Sequence, residues 1–406
     1  MARSLAKEGI PSGWKYDLLD KFATRCSGHT PSKSFPEYWN GGIKWISLAD
    51  SFRLDKGYVY ETDKEISEAG IANSSAELHP AETVVLSRDA GIGKSGVMAV
   101  PMAVSQHFIA WKCDNTEKLN SWFLYNWLQL NKAEFERQAV GSTIKTIGLP
   151  YFKKLKIAVP PYTEQNKIAK ILITWDKAIT TTEQLIANSL QQKKALMQQL
   201  LTGKKRLLDK NGVRFSGEWK VAEIGDFLKE SRIPSKTNNP SKRLTVRLNL
   251  KGIEAREFRG TEAVESTAHF VRSAGQFIYG KQNIHKGAFG IIPKNLDAYE
   301  TSQDLPAFDF TGSCESSWFY HYMTQGHFFT SLENKMSGTG SKRLNPKTFF
   351  KIKIRCPSID EQQKIATVLS SADQEISSLQ HKFDALKQEK KALMQQLLSG
   401  KRRVLV

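Results

Sequence analysis

Nine residues of this chain, KKALMQQLL, occur twice, at 193–201 and again at 390–398. The match continues in both directions when the chain is aligned with itself at an offset of 197 residues. Between 164–208 and 361–405, 22 of 45 aligned positions are identical and no gap is needed. A repeat of this length and spacing indicates a duplicated structural unit. We therefore predict that the chain consists of two half-units built on one plan.

Shorter matches precede each copy of the repeat. At the same offset, Gly141 aligns with Gly338 and Pro160 aligns with Pro357. The stretches from about 25 to 118 and from about 230 to 313 show no such similarity. The two half-units are therefore similar in sequence in some segments and dissimilar in others.

Each long copy has the pattern of an extended amphipathic helix. Apolar residues alternate at spacings of three and four, which is the heptad pattern of a coiled coil. Prolines precede both segments, and Gly203 and Gly400 follow them as helix terminators. At 1.5 Å per residue, each uninterrupted helix would extend about 57 Å. The predicted seam positions are Ile168, Leu172, Trp175, Ile179, Thr182, Ile186, Ser189, Lys193, Leu196 and Leu200 in the first copy, and Ile365, Leu369, Ala372, Ile376, Leu379, Phe383, Leu386, Lys390, Leu393 and Leu397 in the second.

Two matching seams in one chain are most economically satisfied by each other. A compact domain between them returns the chain, so the predicted pairing is antiparallel. The alternatives are that each helix packs on its own domain or that the helices drive oligomerisation. The polar seam residues Thr182, Ser189, Lys193 and Lys390 would weaken a simple two-helix dimer, and they mark either register or a docking site for another subunit.

The repeat is also identical at positions that helix pairing does not fix. A partner protein that binds each half, present in two copies, would explain this identity, whereas recent duplication alone is the alternative. The predicted partner-binding residues are Lys193, Lys194, Gln198, Gln199, Lys390, Lys391, Gln395 and Gln396.

The chain is strongly basic, with 59 Lys and Arg against 41 Asp and Glu and a net charge of +18. Such an excess favours a polyanionic partner, most often nucleic acid. A generally basic protein without such a partner is the alternative.

The four cysteines, Cys26, Cys113, Cys314 and Cys356, are far apart and form no CxxC motif. We therefore expect buried, reduced thiols and no metal site. The N-terminus has no secretory apolar stretch, and Pro101 interrupts the most apolar segment. These features predict a cytoplasmic protein with no membrane partner.

Each dissimilar stretch contains a strand, a basic glycine-rich loop and a second strand, at 84–100 and at 277–292. Lys and Arg suit phosphate contacts, and Arg, Gln and Asn suit contacts with base edges. Two solvated hairpins are the alternative. GIGKS is not a phosphate-binding P-loop, because Arg88 stands where that motif needs its first glycine. The candidate DNA-binding residues here are Arg88, Lys94, Lys281, Gln282, Asn283, His285 and Lys286.

A second loop precedes the last strand of each half, GSTIKTIG at 141–148 and GTGSKRLN at 338–345. Small hydroxyl residues followed by cations suit a phosphate clamp. The candidate residues in these loops are Ser142, Lys145, Lys342 and Arg343, with Lys145 and Lys342 assigned to phosphate.

Further candidate groove contacts lie in the loop-rich segment 29–52, at Lys33, Tyr38, Trp39 and Asn40. Several large apolar residues instead predict core packing, including those of a helix expected over 117–137. These core residues are Trp45, Ile46, Trp122, Phe123, Trp127, Trp318 and Phe319.

The chain lacks recognisable catalytic motifs. VPPY at 159–162 is similar to the [DN]PP[YF] loop of amino-group DNA methyltransferases, but Val159 cannot accept a hydrogen bond from a target amino group. There is no glycine-rich cofactor loop, no nuclease carboxylate-lysine cluster, no HExxH and no nucleophile elbow. We predict a chain with no catalytic residues, no metal and no cofactor of its own.

The order of the motifs, repeated twice, resembles the DNA-specificity subunit of type I restriction-modification systems. The matching segments are GHTPSK…YWNGGIKWISLAD, SRDAGIGKSG…SQHFIAW, GSTIKTIG…LPYFKKLKIAVPPYTEQNKIA and the repeated KKALMQQLL(T/S)G. The second half departs from this pattern at the TPSK and SQHF segments.

The resemblance implies a fold and a set of partners. The implied fold class is α+β, with two mixed α/β target-recognition domains joined by two long helices that pair as an antiparallel coiled coil in a pseudo-twofold repeat. Each domain would read one half of a split, asymmetric sequence of double-stranded DNA, and the helices would set the gap between the halves. The helices would also hold two methylation subunits, which bind S-adenosylmethionine and methylate adenine, and restriction subunits would join that core. S-adenosylmethionine, ATP and Mg would then belong to the partner subunits.

The predicted domain boundaries follow the repeat. They are 1–160 for the first target-recognition domain, 161–208 for the central helical spacer, 209–357 for the second domain and 358–406 for the C-terminal helical spacer. Two other function classes remain open at this point. They are a self-sufficient DNA methyltransferase or nuclease, and a coiled-coil assembly protein without a role on DNA.

Overall fold

Two uninterrupted helices occupy the repeated segments. They are Tyr162–Leu200 and Ile359–Leu397, each 39 residues long. Gly203 and Gly400 follow them with φ angles of +72° and +69°, a left-handed conformation that strains any residue with a side chain. The predicted helices and their glycine terminators are confirmed.

The chain of this computed structural model divides into two units, and each takes part of both long helices. Unit 1 combines Met1–Glu183 with His381–Val406, and unit 2 is Gln184–Gln380. The structure describes residues 9–113, 117–141, 145–237, 239–258, 268–338 and 341–404.

Unit 1 contains the first set of strands and short helices. Its strands are β1 Lys15–Leu18, β2 Thr24–Ser27, β3 Trp39–Ile46, β4 Tyr58–Val59, β5 Lys64–Ile66, β6 Val84–Ser87, β7 Ser95–Met98, β8 Ala103–Val104, β9 Phe108–Lys112 and β10 Lys156–Val159. Its helices are α1 Glu68–Ala72, α2 Ser121–Leu130, α3 Lys132–Gln138 and α4 Leu149–Lys153, followed by the long helix α5 Tyr162–Leu200, which continues into unit 2.

Unit 2 contains the second set. Its strands are β11 Lys220–Glu223, β12 Leu228–Ser231, β13 Ile233–Pro234, β14 Leu244–Val246, β15 Ile253–Ala255, β16 His269–Val271, β17 Phe277–Tyr279, β18 Phe289–Ile291, β19 Glu300–Ser302, β20 Ala307–Phe310 and β21 Lys353–Cys356. Its helices are α6 Ser316–Met323, α7 Gly326–Ser331 and α8 Pro346–Phe350, followed by the long helix α9 Ile359–Leu397, which continues into unit 1.

Both units contain an antiparallel sheet with the same strand order. In unit 1 the order β2-β9-β6-β7 continues into β4, which runs parallel to β7. In unit 2 the order is β12-β20-β17-β18. The hairpins predicted at 84–100 and 277–292 are the pairs β6-β7 and β17-β18. Dissimilar sequences can form the same sheet, because a buried strand requires apolar residues of suitable volume and not particular ones.

The first and last strands of each sheet-bearing segment pair with each other. β1 pairs antiparallel with β10, and β11 pairs antiparallel with β21. A repeated glutamine then fixes the start of each long helix. The side-chain amide of Gln165 donates to the Pro160 carbonyl at 2.9 Å, and that of Gln362 donates to the Pro357 carbonyl at 3.1 Å. Each long helix therefore begins from the same local structure.

The two long helices pack antiparallel. In unit 1, Ile168 near the start of α5 shares a core with Leu397 at the end of α9. In unit 2, Leu369 near the start of α9 shares a core with Leu200 at the end of α5. The start of each helix thus lies beside the end of the other, and the predicted antiparallel pairing is confirmed.

The register of the seam also agrees with the prediction. Each predicted seam position is buried or half-buried. Leu185 and Leu190, which lie off the seam, are instead 46% and 51% exposed. Heptad spacing therefore identified the packed face of both helices.

The helix predicted over 117–137 is two helices, α2 and α3, separated by Asn131. The side-chain amide of Asn131 donates to the Trp127 carbonyl at 2.8 Å. Asparagine ends helices in this way because its amide competes for main-chain hydrogen bonds. The core assignments are confirmed for Trp45, Ile46, Trp122, Phe123, Trp127, Trp318 and Phe319.

Three of the four reduced cysteines are buried, as predicted. The prediction is wrong for Cys26, which is half-buried because β2 is the edge strand of its sheet. Within the described part of the chain, no helix is long and apolar enough to cross a membrane.

Candidate nucleic-acid interface

In both units, the loop after a buried strand is tied to a second loop by one main-chain hydrogen bond. The amide of Ile147 donates to the Arg88 carbonyl at 2.9 Å, and the amide of Leu344 donates to the Lys281 carbonyl at 2.9 Å. Ile147 and Leu344 are aligned at the offset of 197 residues, and both side chains are buried. We call each pair of linked loops a loop joint.

The second loop of each joint is closed by the same antiparallel bridge. Val140 pairs with Thr146 in unit 1, and Ser337 pairs with Arg343 in unit 2. Because these pairs are also related by the offset of 197 residues, the phosphate-clamp loops predicted from the repeat share one backbone design.

The predicted phosphate lysines directly precede the second residue of each bridge. Lys145 and Lys342 are both exposed. Gly141 and Gly338 open the two loops with φ angles of +135° and +132°, which a residue with a side chain rarely adopts. The structure therefore presents one exposed lysine at the same place in each joint. Ser142, the remaining candidate in these loops, lies outside the described residues.

An aspartate braces each joint. In unit 1 the Thr146 hydroxyl donates to the Asp89 carboxylate, which also contacts Nδ1 of His107 at 2.6 Å. In unit 2 a guanidinium nitrogen of Arg343 donates to Asp304 at 2.9 Å. The sequence analysis missed both acids, because they are not related by the offset of the repeat. The sequence did offer one indication of these acids. Their partners Thr146 and Arg343 occupy equivalent positions of the repeat and are both polar.

Basic residues collect in a cleft beside the unit 1 joint. The cleft has a volume of about 290 Å³ and brings Lys94, Lys132 and Lys145 together with one acid, Glu136. Lys132 is paired with the Asp55 carboxylate, 2.6 Å from its Nζ, so three lysines face two carboxylates and the cleft keeps a positive charge that suits a phosphate. Lys132 was not among the sequence candidates.

Two of the unit 1 candidate cations have partners within the protein. Nε of Arg88 donates to the Ile147 carbonyl at 3.1 Å and lies 3.8 Å from the Asp89 carboxylate. Nζ of Lys94 donates to the carbonyl and hydroxyl oxygens of Ser51, both at 3.1 Å. These contacts hold the two side chains beside the joint and also account for part of their hydrogen-bonding capacity.

In the unit 2 joint, charged side chains of both signs lie near Lys281. Burial is the main cause that lowers the pKa of Lys281, and the nearby carboxylates of Asp304 and Glu230 oppose that change. The cations Arg232 and Arg343 lower the pKa of Lys281 further.

The other unit 2 candidates follow Lys281 on one short turn. Ile284 is buried and anchors the 3-10 turn Ile284–Lys286, which leaves Lys286 exposed. Gln282, Asn283 and His285 are half-buried on the same turn. This turn ends at Gly287, whose φ is +73°.

The candidates from 29–52 lie elsewhere in unit 1. Lys33 and Asn40 are exposed, and Tyr38 and Trp39 are half-buried. Trp39 begins β3, which belongs to the small sheet β5-β3-β8 and not to the sheet that carries the joint. The indole nitrogen of Trp39 donates to the Ser32 carbonyl at 3.2 Å.

The seam lysines have partners on the opposite helix. Lys193 of α5 forms an ion pair with Asp373 of α9, and Lys390 of α9 forms one with Asp176 of α5. Each lysine therefore pairs with an aspartate across the seam, which agrees with the alternative that these positions mark register. Their recurrence in the repeat is explained by the pairing itself.

The other predicted partner-binding residues face solvent. They form an exposed patch on the last turns of each long helix, which we call the outer faces. The outer faces consist of Lys194, Gln198, Gln199, Lys391, Gln395 and Gln396.

Together these features define a duplicated protein in which two α/β domains are carried by a pair of long antiparallel helices. Residues 11–192 and 216–388 match the family model described as the type I restriction modification DNA specificity domain. The chain belongs to this family, as the sequence motifs predicted. It is the specificity subunit of a type I restriction-modification complex, is not itself catalytic, and binds target DNA within that complex.

Curated relatives support the same assignment over most of the chain. The MjaIX specificity subunit of Methanocaldococcus jannaschii is 22% identical over 97% of this chain and 95% of its own length. The MjaVIII specificity subunit of the same organism is 24% identical over 97% of this chain and 94% of its own. The EcoR124I/EcoR124II specificity subunit of Escherichia coli is 29% identical over 40% of each chain.

Solved structures share the fold. The S subunit of a type I system from M. genitalium superposes with a TM-score of 0.59 at 15% identity and covers 97% of both chains. The HsdS subunit from Thermoanaerobacter tengcongensis gives a TM-score of 0.51 at 15% identity, with 97% of this chain and 98% of that chain covered.

Proposed function

We propose that the loop joint of each unit contacts one part of a split DNA target. The observation that carries this proposal is the hydrogen bond that links the Arg88 loop to Ile147 in unit 1 and the Lys281 loop to Leu344 in unit 2. The second loops of the joints are alike in backbone, whereas the first loops differ in sequence. A shared part suits contacts to phosphate, which is the same in every sequence, and a variable part suits contacts to bases.

The proposal divides the candidate residues by role. Lys145 and Lys342 are exposed at equivalent places, so we assign them to phosphate. We assign the base contacts to the first loops. Because the first loops of the two units differ in amino-acid sequence, the two DNA half-sites should differ in base sequence. The base-contact candidates are Arg88, Lys94, Lys281, Gln282, Asn283, His285 and Lys286, with Arg343 at the border of the two loops; Lys33, Tyr38 and Asn40 are candidates for flanking groove contacts.

The test separates phosphate contacts from base contacts. We expect Lys145→Ala and Lys342→Ala each to weaken binding of the assembled complex to every duplex, and to reduce the slope of log affinity against log salt by about 1. Lys210→Ala, an exposed lysine outside the joints, is the matched control and should leave the slope unchanged. A change in the set of methylated sequences at an unchanged salt slope would refute the assignment of these lysines.

We also infer that the outer faces bind two methylation subunits, one on each. This inference is supported by the recurrence of residues that helix pairing does not require. The exposed residues of the outer faces are identical in the two copies and lie outside the seam. S-adenosylmethionine would then belong to those subunits, with ATP and Mg on restriction subunits that join the complex in the cytoplasm.

Charge reversal on the outer faces tests this assignment. Lys194→Glu combined with Lys391→Glu should impair assembly with the methylation subunit, measured by size-exclusion chromatography with light scattering, and leave the melting temperature of the isolated chain unchanged. Lys193 and Lys390 are unsuitable for the test, because reversal there would also place like charges beside Asp373 and Asp176. Lys382→Glu, on an exposed position of α9 that does not recur, is the control. Unimpaired assembly of the double variant would mean that the repeat records duplication only.

A further inference from the structure

Side chains from two distant parts of the sequence meet in unit 1. The Cys26 sulfur, a Glu77 carboxylate oxygen and a His79 ring nitrogen all lie within 4.8 Å of one another. Cys26 is on the edge strand β2, and Glu77 and His79 are on the segment between α1 and β6. The fold of unit 1, and not a local motif, creates this cluster.

His79 is the most unusual member of the cluster. Its side chain is fully buried, yet neither ring nitrogen has a hydrogen-bond partner. Its main chain is held by Met102, through hydrogen bonds of 2.8 and 3.0 Å in the two directions. A buried polar group without a partner costs free energy, and such groups in folded proteins generally have a partner. The fold therefore holds in position a buried imidazole whose two nitrogens have no hydrogen-bond partner.

We propose that Cys26, Glu77 and His79 bind one zinc ion. Thiolate sulfur, imidazole nitrogen and carboxylate oxygen are the three ligand types that zinc takes in proteins. Bonds of about 2.0–2.3 Å in a tetrahedral arrangement place ligand atoms roughly 3.3–3.8 Å apart, so the side chains need to close by about 1.5 Å at most. Three protein ligands leave the fourth position to water.

The cluster is accessible from solvent, and one neighbouring cation competes with a metal ion for Glu77. Glu77 is exposed and Cys26 is half-buried, so an ion can reach the buried ring from the solvent side. Nζ of Lys112 lies 3.4 Å from a Glu77 carboxylate oxygen and is the cation that a metal would have to displace. Lys112 is on β9, which pairs with the strand that carries Cys26.

The site would join an edge strand to a segment that has little regular structure of its own. Among the described residues, no second cluster of this kind occurs in either unit. The expected stoichiometry is therefore one ion per chain. The role that follows from the position is structural, because the ion would tie β2 to the segment that leads into β6 and the unit 1 joint.

Metal titration of the purified full chain tests the proposal. After removal of bound metal, cobalt(II) should bind at one equivalent and produce thiolate-to-cobalt charge-transfer absorption, which zinc then abolishes by displacement. Zinc should also raise the midpoint of thermal unfolding of the unmodified chain. Cys26→Ser should remove the charge-transfer absorption, and His79→Gln should weaken cobalt binding at least tenfold. Cys113→Ala, which removes a buried thiol of the same unit outside the cluster, should retain the absorption.

Replacement of Lys112 provides a variant that is expected to bind metal more tightly and whose effect does not depend on disrupting the fold. Lys112→Gln should tighten cobalt binding several-fold, since Glu77 then has no competing cation. The proposal is overturned if the unmodified chain binds no stoichiometric cobalt, if the bound cobalt shows no thiolate absorption, or if Lys112→Gln leaves the affinity unchanged. None of these results would bear on DNA binding by the joints, which is measured separately.

Discussion

Replacement of Arg206 by alanine should destabilise unit 2 by an amount that the structure allows us to work out. Arg206 follows α5 and forms two hydrogen bonds with Glu361, at 2.6 Å from Nε and 2.7 Å from the terminal nitrogen. The indole nitrogen of Trp219 approaches the same carboxylate at 3.3 Å. Glu361 lies in the first turn of α9, so this cluster joins the end of one long helix to the start of the other.

The magnitude follows from the burial of the acid. The Glu361 side chain is 1% exposed and that of Arg206 is 20% exposed. Loss of one partner from a buried pair costs about 3–5 kcal/mol, because the remaining charge is left in a medium of low polarity. The partial exposure of Arg206 places the expected loss near the lower end, about 3 kcal/mol. For a unit of this size, that corresponds to a drop of about 6–12 °C in melting temperature.

Chemical denaturation of the isolated chain, followed by circular dichroism, measures the loss. The double variant Arg206→Ala with Glu361→Gln should regain roughly half of it, because a buried amide carries no charge. Arg232→Ala is the matched control, since Arg232 is 68% exposed in its ion pair with Glu230 and its loss should stay below about 1 kcal/mol. If Arg206→Ala costs no more than this control, or if the double variant is as unstable as the single one, the reasoning is refuted.

Two further predictions concern pH and the helix seam. Burial, reinforced by Lys193 and opposed by Asp373, lowers the pKa of His321 to about 4 from 6.5; the unfolded state then binds the proton first, so stability is intact above pH 6.5 and falls by roughly 2 kcal/mol by pH 5. His321→Gln should remove that part of the slope in denaturation experiments run across pH, and an unchanged slope would contradict the assignment. Leu397→Ala, at a buried seam position, should cost about 2–5 kcal/mol, whereas Leu190→Ala, which is 51% exposed, should change stability by no more than about 0.5 kcal/mol. Equal losses in the same denaturation assay would mean that the seam register is wrong.

The parts of the fold that sequence could predict are those governed by periodicity. The heptad spacing identified the packed face of both long helices, and the terminators Gly203 and Gly400 followed from local backbone chemistry. The two hairpins were also predictable, because apolar strands flank glycine-rich loops in both halves. Asn131 shows the limit of this approach, since one side-chain amide ends a helix that the apolar pattern alone would continue.

The contacts that define the candidate site could not be predicted, because they depend on tertiary structure. Asp89 and Asp304 form hydrogen bonds with equivalent loops, but the two aspartates are not aligned by the repeat. Alignment of the chain with itself therefore does not identify them. The Cys26 cluster was not predicted for a related reason. Metal-binding motifs are recognised in a sequence by short spacings between ligands, whereas folding brings the residues of this cluster together. Family resemblance supplied the function, but it carried no information on which side chains the joints hold or expose.

The identical positions of the repeat can now be separated by cause. Leu200 and Leu397 recur because each fills the core of one unit. Asp176 and Lys193 recur, with their counterparts in the second copy, because each lysine pairs with the aspartate of the other copy, so both copies must keep both charges for the two ion pairs to form. Folding thus accounts for identities that looked like a partner surface from sequence alone. Folding does not explain the recurring exposed residues, which include Lys194, Gln198 and Gln199 with their counterparts on α9. A proposal for partner binding therefore rests on the outer faces alone, and the charge-reversal experiment at Lys194 and Lys391 addresses the part of the repeat for which the folded chain gives no reason.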